Sequence, residues 1–148
     1  GGARPDRPPR RGAFPSAANR MILDTTVLID LQRELRREVP GAASTMLAEA
    51  GDDEVAIAFV SWMEFAEGYR DDQREACERF LAPFRVLWPD GETVWRAARL
   101  SRDLQERGES IGDHDAWIAA LALQHRQVVV SRNDAHFRRV GELAVRRY

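Results

Sequence analysis

The run "VVV" at residues 128–130 is β-branched, and its apolar side chains do not alternate with polar ones. A strand with this pattern is buried on both faces, as the central strands of a parallel sheet are. The preceding segment, "DAWIAALALQH" at residues 115–125, is apolar on nearly every side, which predicts a buried helix. A buried helix that leads into a buried strand favours an α/β fold with a parallel sheet.

The rest of the chain alternates between strand-like and helix-like segments. Short apolar runs predict strands at residues 21–24, 55–61 and 85–89, with an edge strand at 144–148. Segments with helical spacing occupy residues 25–38, 41–51, 62–70, 71–84 and 92–108. This order predicts a three-layer α/β/α sandwich around a mostly parallel sheet of four to five strands.

The length of 148 residues suits one domain, preceded by a short basic segment. Residues 1–20 are rich in Pro, Gly, Ala and Arg and lack periodicity. We interpret them as a flexible basic tail or as sequence upstream of a start at Met21, with a nucleic-acid-binding arm as the alternative. The chain's net charge is −2 and this segment's is +4, which leaves −6 for the domain at residues 21–148. An acidic domain binds nucleic acid poorly unless metal ions offset its charge.

Residue usage excludes several classes of protein. The chain contains no lysine, so a P-loop and Schiff-base chemistry are both excluded. A phosphoaspartate receiver or a phosphatase of similar shape is expected to need a lysine beside its aspartate, so both of these classes are excluded as well. Cys77 is the single cysteine, so neither an internal disulfide nor a Cys-rich zinc site can form. No apolar run approaches the roughly 18 residues of a membrane span, and no signal peptide is visible, so the expected location is cytoplasmic, with no membrane partner.

Polar side chains collect where the predicted strands end and where the buried helix begins. Ligands bind beyond the carboxyl ends of strands in such sheets, so these side chains are expected to share one edge. Carboxylates that converge without a basic partner repel one another unless a cation neutralises them. Oxygen ligands select Mg²⁺ or Mn²⁺, and such a site supports phosphodiester hydrolysis by an activated water. The residues are Asp24, Ser61, Glu64, Asp113, Asp115, Asn133 and Asp134.

Each of these residues also has a purely local explanation. Asp24 is suited to N-cap the helix that follows it. Ser61 and Glu64 have the spacing of a capping box. One of the two acids at the start of the buried helix is expected to cap it, and the other to be a ligand. Asn133 and Asp134 fit an Asx turn. No single acid is specific, whereas their order along the chain is.

Three segments in this order resemble the PIN-domain ribonucleases, and especially the VapC-type toxins of bacterial toxin–antitoxin pairs. They are "MILDTTVLID", "FVSWMEFAEGY" and "IGDHDAWIAALALQHRQVVVSRNDAHFRRV", and the resemblance spans about residues 21–140. It implies a PIN-like form of the predicted sandwich. It also places the family's first three acids at Asp24, Glu64 and Asp115. The chain departs from the pattern at Asn133, where many members of the family have an acid.

The resemblance implies a Mg²⁺- or Mn²⁺-dependent endoribonuclease. It also implies a homodimer that a cognate antitoxin holds inactive by covering the active-site groove, and a larger toxin–antitoxin assembly is compatible with this. Asp24, Glu64 and Asp115 are then the metal ligands and, with Asn133, the catalytic residues. Asn133 would position a water molecule or a phosphate oxygen.

The remaining site residues are assigned to positions around the metal ligands. Thr26 and Ser61 are expected to donate hydrogen bonds that orient the carboxylates. Arg132 is a candidate contact to an RNA phosphate, because a guanidinium binds phosphate through two parallel hydrogen bonds. Asp113 and Asp134 are expected in the outer shell of the site.

Two alternatives remain open at the level of the sequence. One is a PIN-like domain that lacks catalysis and binds RNA or protein, which metal binding would distinguish from the nuclease. The other is cleavage of DNA in place of RNA, which the same chemistry permits.

Overall fold

In the part of the chain that the structure describes, the sheet has five strands, all of them parallel. The computed structural model describes residues 20–51 and 53–148, so the predicted tail at residues 1–19 lies outside the described residues. The strand order is β3-β2-β1-β4-β5. The strands are β1 Arg20–Leu23, β2 Glu54–Ala58, β3 Arg85–Leu87, β4 Val128–Val130 and β5 Val145–Arg146. The predicted α/β class is confirmed.

Helices cover both faces of the sheet, so the domain has three layers. Along β1, Ile22 belongs to one apolar core and Leu23 to the other, because successive side chains of a strand point to opposite faces. The core around Ile22 includes α5 and α6, whereas the core around Leu23 includes α1, α2 and α4. The helices are α1 Thr25–Arg37, α2 Ala42–Ala50, α3 Phe59–Ala66, α4 Arg74–Leu81, α5 Gly91–Glu106, α6 Asp113–His125 and α7 Asp134–Arg138, with a 3-10 turn at Asp71–Gln73.

The strand order creates a crevice beside β1. The chain leaves β1 towards β2 and β3 and then returns to place β4 on the other side of β1. Connections therefore leave β1 and β4 in opposite directions, and such a switch point is where α/β sheets bind ligands. The backbone N–H of Asp24 donates to the carbonyl oxygen of Val130 at 2.9 Å, which brings the two strand ends together.

Three local expectations from the sequence are wrong. Strand β2 ends at Ala58, which is also the N-cap residue of α3, so Ser61 lies inside the first turn of α3 and forms no capping box. The run at 55–61 is apolar throughout, and buried strands and buried helices share that pattern. Helix α6 has Gly112 as its N-cap residue, so neither acid of its first turn caps it. A short helix, α7, begins at Asp134, and the side chain of Asn133 does not cap it, so the Asx turn offered as a local explanation of these two residues does not describe the segment.

None of the helices among the described residues is long and apolar enough to cross a membrane.

Candidate active site

Asp24 lies at the end of β1, and the fold holds its carboxylate from two directions. Only 6% of the residue is exposed. Its Oδ1 accepts from the backbone N–H of Thr25 at 2.8 Å, so Asp24 does cap α1. Its Oδ2 accepts from the hydroxyls of Thr26 at 3.1 Å and Ser131 at 2.7 Å. A carboxylate has about four acceptor positions, so these three bonds leave about one, on Oδ1.

The charge of Asp24 is not balanced by a basic side chain. Burial raises the pKa of Asp24 above its ordinary value, the hydrogen bond from Ser131 opposes this, and the negative charge of Asp115 raises the pKa further. Within residues 20–51 and 53–148, no arginine or histidine forms an ion pair with it. A cation between Asp24 and Asp115 would remove this repulsion.

Glu64 lies on α3 and reaches the same edge of the sheet. Its Oε1 accepts from the hydroxyl of Thr25 at 3.2 Å, and Thr25 is also the residue whose N–H binds Asp24. Thr25 therefore links the two carboxylates. The Nδ1 atom of His114 lies 3.0 Å from the same Oε1, and 30% of the Glu64 side chain is exposed.

Asp115 occupies the first turn of α6, where the helix dipole favours a negative charge. Its Oδ2 lies 3.0 Å from Nδ1 of His136, which α7 supplies, and 23% of its side chain is exposed. Asp113 stands at the first residue of the same helix and is exposed. The chain enters α6 through Gly112, whose φ of 86° is a backbone conformation that favours glycine over residues with a side chain.

In the segment after β4, Asn133 contacts a residue of the site, whereas Asp134 contacts residues outside it. Asn133 donates its backbone N–H to the Ser131 hydroxyl at 3.0 Å, and its side chain does not cap α7. The carboxylate of Asp134 pairs with Arg138 at 2.7 Å and lies 3.7 Å from Arg147. The hydrogen bond from Arg138 lowers the pKa of Asp134. These contacts link Asp134 to arginines and give it no contact with Asp24, Glu64 or Asp115 among the described side chains.

Two further predicted residues are engaged differently from expectation. The Nη1 atom of Arg132 lies 3.0 Å from each carboxylate oxygen of Asp30 on α1. Ser61 is fully buried, and within the described part of the chain its hydroxyl has no hydrogen-bond partner. The orienting hydroxyls of the structure are therefore those of Thr25, Thr26 and Ser131.

Sequence reasoning missed Thr25, Ser131 and His136 as site residues. A signal for Ser131 was present, because it follows β4 directly, at the edge where Asp24 follows β1. Thr25 adjoins Asp24 in the same way. Nothing in the sequence indicates that His136 contacts Asp115, since that contact depends on how α7 packs beside α6.

The donor chemistry of the site fits a hard divalent cation. Asp24, Glu64 and Asp115 provide carboxylate oxygens, the ligands that Mg²⁺ and Mn²⁺ prefer. In the described ranges, no three His, Cys, Asp or Glu side chains are close enough together to hold an ion in this arrangement. Glu64 and Asp115 instead each contact a histidine. Both are partly exposed, so their carboxylates have room to turn towards Asp24.

The fold and the acidic site define a PIN domain. The family model described as "PIN domain" matches residues 21–143. This match covers most of the chain, and the chain therefore belongs to the PIN-domain family.

Curated relatives and solved structures narrow this relationship. The chain is 28% identical to the ribonuclease VapC1 of Methanocaldococcus jannaschii over 131 residues, 88% of each chain. It is 25% identical to the ribonuclease VapC1 of Haemophilus influenzae strain R2866 over 127 residues, 82% of this chain and 92% of the relative. The protein is thus related to the VapC1 ribonucleases of toxin–antitoxin systems.

Solved structures agree on the fold. The VapBC-1 structure from nontypeable Haemophilus influenzae matches with a TM-score of 0.71 and 24% identity, covering 86% of this chain and 96% of that one. The VapBC2 structure from Rickettsia felis, bound to a promoter DNA fragment, matches with a TM-score of 0.73 and 19% identity, covering 86% and 98%.

Proposed function

We propose that this protein is a Mg²⁺- or Mn²⁺-dependent endoribonuclease and acts as the toxin of a toxin–antitoxin pair. The observation that carries the proposal is the state of Asp24. Its carboxylate is buried at the switch point of the sheet, held by three hydrogen bonds, raised in pKa by burial, and lacking an ion-pair partner among the described residues. If this residue had only a structural role, a neutral side chain would stabilise the fold more, because a buried carboxylate without an ion-pair partner costs free energy.

The chain's own residues have distinct tasks in this proposal. Asp24 has one acceptor position left, and Asp24, Glu64 and Asp115 are the residues that would hold the metal once the last two turned towards the first. A divalent cation held there would supply positive charge near the scissile phosphate and would lower the pKa of a water molecule. Asn133 positions a water molecule or a phosphate oxygen from the loop after β4. Thr25, together with Thr26 and Ser131, fixes the orientation of the carboxylates.

We further propose that the chain pairs with an antitoxin and with a second copy of itself. The similar structures named above are VapBC complexes, and the surface of this chain supports a protein partner. Trp88 and Trp95 are 60% and 61% exposed, and Met63 and Val94 are exposed as well. Met63 and Trp88 line the same cavity, and large exposed apolar side chains grouped in this way mark protein interaction sites.

One observation favours the alternative, a PIN-like module that binds without catalysis. Glu64 and Asp115 are each in contact with a histidine, and no three potential ligands among the described residues converge. A site that stays in this arrangement would not hold a cation. Calorimetric titration with Mn²⁺ separates the two candidates, because the nuclease requires binding and the module does not.

The test of the nuclease is cleavage of total cellular RNA by the purified protein, freed of antitoxin, with Mg²⁺ or Mn²⁺. Asp24→Asn removes the central carboxylate with little change in shape. Asp103→Asn is the control, because Asp103 is an exposed acid on α5 and the substitution changes the net charge equally. The same assay with single-stranded DNA tests whether the protein cuts DNA in place of RNA.

We expect cleavage of RNA by the wild type and by Asp103→Asn, and none with EDTA or with Asp24→Asn. Cleavage that survives both EDTA and Asp24→Asn would contradict the proposed mechanism. Absence of cleavage together with absence of Mn²⁺ binding would favour the binding module. Cleavage of DNA but not of RNA would support the proposed metal site and would identify DNA as the substrate.

A further inference from the structure

A polar cavity lies beside the candidate active site, and we call it the arginine pocket. It has a volume of about 390 Å³, and its charged lining consists of Asp30, Arg33, Glu34, Arg37 and Arg132. Four of these residues lie on α1 and the fifth follows β4. Three arginines therefore face two acids in this pocket.

Asp30 serves to hold other side chains of the pocket. Its two oxygens each lie 3.0 Å from Nη1 of Arg132, and its Oδ2 also accepts from the hydroxyl of Tyr148 at 2.6 Å. Arg33 lies 3.7 Å from the same carboxylate. Asp30 thus fixes the guanidinium of Arg132 in one position, and its own charge is satisfied by these partners.

Glu34 is engaged with the start of α2. Its carboxylate accepts from the backbone N–H groups of Ala43 at 3.0 Å and Ser44 at 2.8 Å, and also from the Ser44 hydroxyl. A carboxylate at a helix N-terminus offsets the partial positive charge there. Glu34 is therefore committed to α2, and among the described residues it forms no ion pair with an arginine of the pocket.

Arg37 is the clearest cation of the pocket. Within the described part of the chain it forms no ion pair, and it is exposed. Arg33 and Arg37 are four residues apart on α1, so both point to the same side of the helix. An anion that enters the pocket would meet Arg33, Arg37 and the fixed Arg132.

The pocket is adjacent to the site and separate from it. Arg132 directly follows Ser131, which binds Asp24. Thr26 and Asp30 are one helical turn apart on α1, and Arg33 lies about 10 Å beyond Thr26 along the helix axis, at 1.5 Å per residue. By the same rise, Arg37 lies about 16 Å beyond Thr26. The arginines of α1 therefore face a part of a bound strand that lies beyond the phosphate at Asp24.

We propose that the arginine pocket binds a backbone phosphate of single-stranded RNA to one side of the cleaved bond. The inference rests on the proposed function and adds a substrate subsite to it. Guanidinium groups recognise phosphate through paired, charge-assisted hydrogen bonds. The subsite also answers a problem of charge, since an acidic domain needs local cations to hold an RNA strand.

The experiment compares two neighbouring arginines of α1. Arg37→Gln removes a cation that lines the pocket. Arg36→Gln makes the same change in net charge on the same helix, but Arg36 does not line the pocket and forms no ion pair among the described residues. Steady-state cleavage of a single-stranded RNA gives KM and kcat at several salt concentrations. Fluorescence anisotropy with the same RNA in EDTA gives its Kd without cleavage.

We expect Arg37→Gln to raise KM and Kd about tenfold, equivalent to about 1.4 kcal/mol. The change in kcat should be less than about twofold, because the contact is the same in substrate and transition state. The salt dependence of log Kd should fall by about 0.7 for one lost phosphate contact to a single strand. Arg36→Gln should leave all four quantities (KM, Kd, kcat and the salt dependence of log Kd) near those of the wild type.

Each other outcome has a definite meaning. Equal behaviour of Arg37→Gln and Arg36→Gln in an active nuclease overturns the subsite and keeps the proposed function. RNA binding that weakens in Arg37→Gln alone, in a protein that cuts no RNA, keeps the subsite and overturns the nuclease. A protein that neither binds nor cuts RNA overturns both.

Discussion

The hydroxyl of Ser131 should carry much of the energy that keeps Asp24 in place. Ser131→Ala removes a 2.7 Å hydrogen bond to the buried carboxylate and also an acceptor for the N–H of Asn133. A hydrogen bond to a charged group contributes about 1.5–3 kcal/mol. Because Asn133 is exposed, water can replace its lost acceptor. The expected loss in the free energy of unfolding is therefore about 2 kcal/mol at neutral pH, which lowers Tm by roughly 8 °C.

Ser61 provides a matched control for this measurement. Ser61 and Ser131 are both fully buried, so both substitutions to alanine delete one buried hydroxyl. The Ser61 hydroxyl, however, has no hydrogen-bond partner within the described residues. Urea unfolding at neutral pH should show Ser61→Ala close to the wild type, within about 0.5 kcal/mol. Calorimetry with Mn²⁺ should show affinity about 10- to 100-fold weaker for Ser131→Ala alone, as for other residues that orient metal ligands.

The dependence on pH gives the sharper test. The Ser131 bond stabilises the ionised form of Asp24 and lowers its pKa, so its contribution should shrink when acid protonates the carboxylate. Equal losses for the two serines at all pH values would refute the reasoning. That result would mean that the cost comes from the missing buried volume and not from the bond to a charge.

Two further substitutions test the geometry of the site. Burial, together with the charge of Asp115, holds the pKa of Asp24 in the folded protein above its ordinary value of 3.8. The protonated side chain therefore stabilises the fold below pH 3.8, and this stabilisation is lost as the pH rises through the pKa of the folded state. Asp24→Asn should therefore raise Tm at neutral pH and lose this advantage below pH 3.8, as thermal unfolding across pH would show; a lower Tm at neutral pH contradicts the account. Gly112→Ala should cost about 1–3 kcal/mol because φ is 86° there, whereas Gly91→Ala, with nothing within 4 Å of the added carbon, should be nearly neutral; equal losses in urea unfolding would argue against strain at Gly112.

The central part of the fold follows from local pattern. The "VVV" run forms β4 at the predicted residues 128–130, and the apolar segment before it forms α6. Apolar side chains on every side leave a segment no stable place except the interior, so burial follows from the sequence alone. The boundary between β2 and α3 was predicted less well, because residues 55–61 are apolar in both elements. The end of the strand depends on tertiary pairing, which reaches Ile57 on the β1 side and Ala58 on the β3 side.

The positions of the acids could also be predicted, but their partners only in part. Asp24 and Asp115 lie at element junctions, and parallel strands bring such junctions to one edge. The pairing of Asp134 with Arg138 follows the helical spacing of four residues, so the sequence contained that contact once α7 was recognised. The contact between His136 and Asp115 had no such local signal.

The sequence by itself determined which segment is buried and that Asp24 and Asp115 stand at element junctions, because these depend on periodicity and order. Only the tertiary structure decided which hydroxyls hold the carboxylates. Ser131 donates to Asp24 across 107 residues of chain, whereas Ser61, the serine that the family resemblance favoured, is buried without a partner among the described residues. The direction of a side chain depends on how its helix or strand packs against distant elements, and no local pattern encodes that.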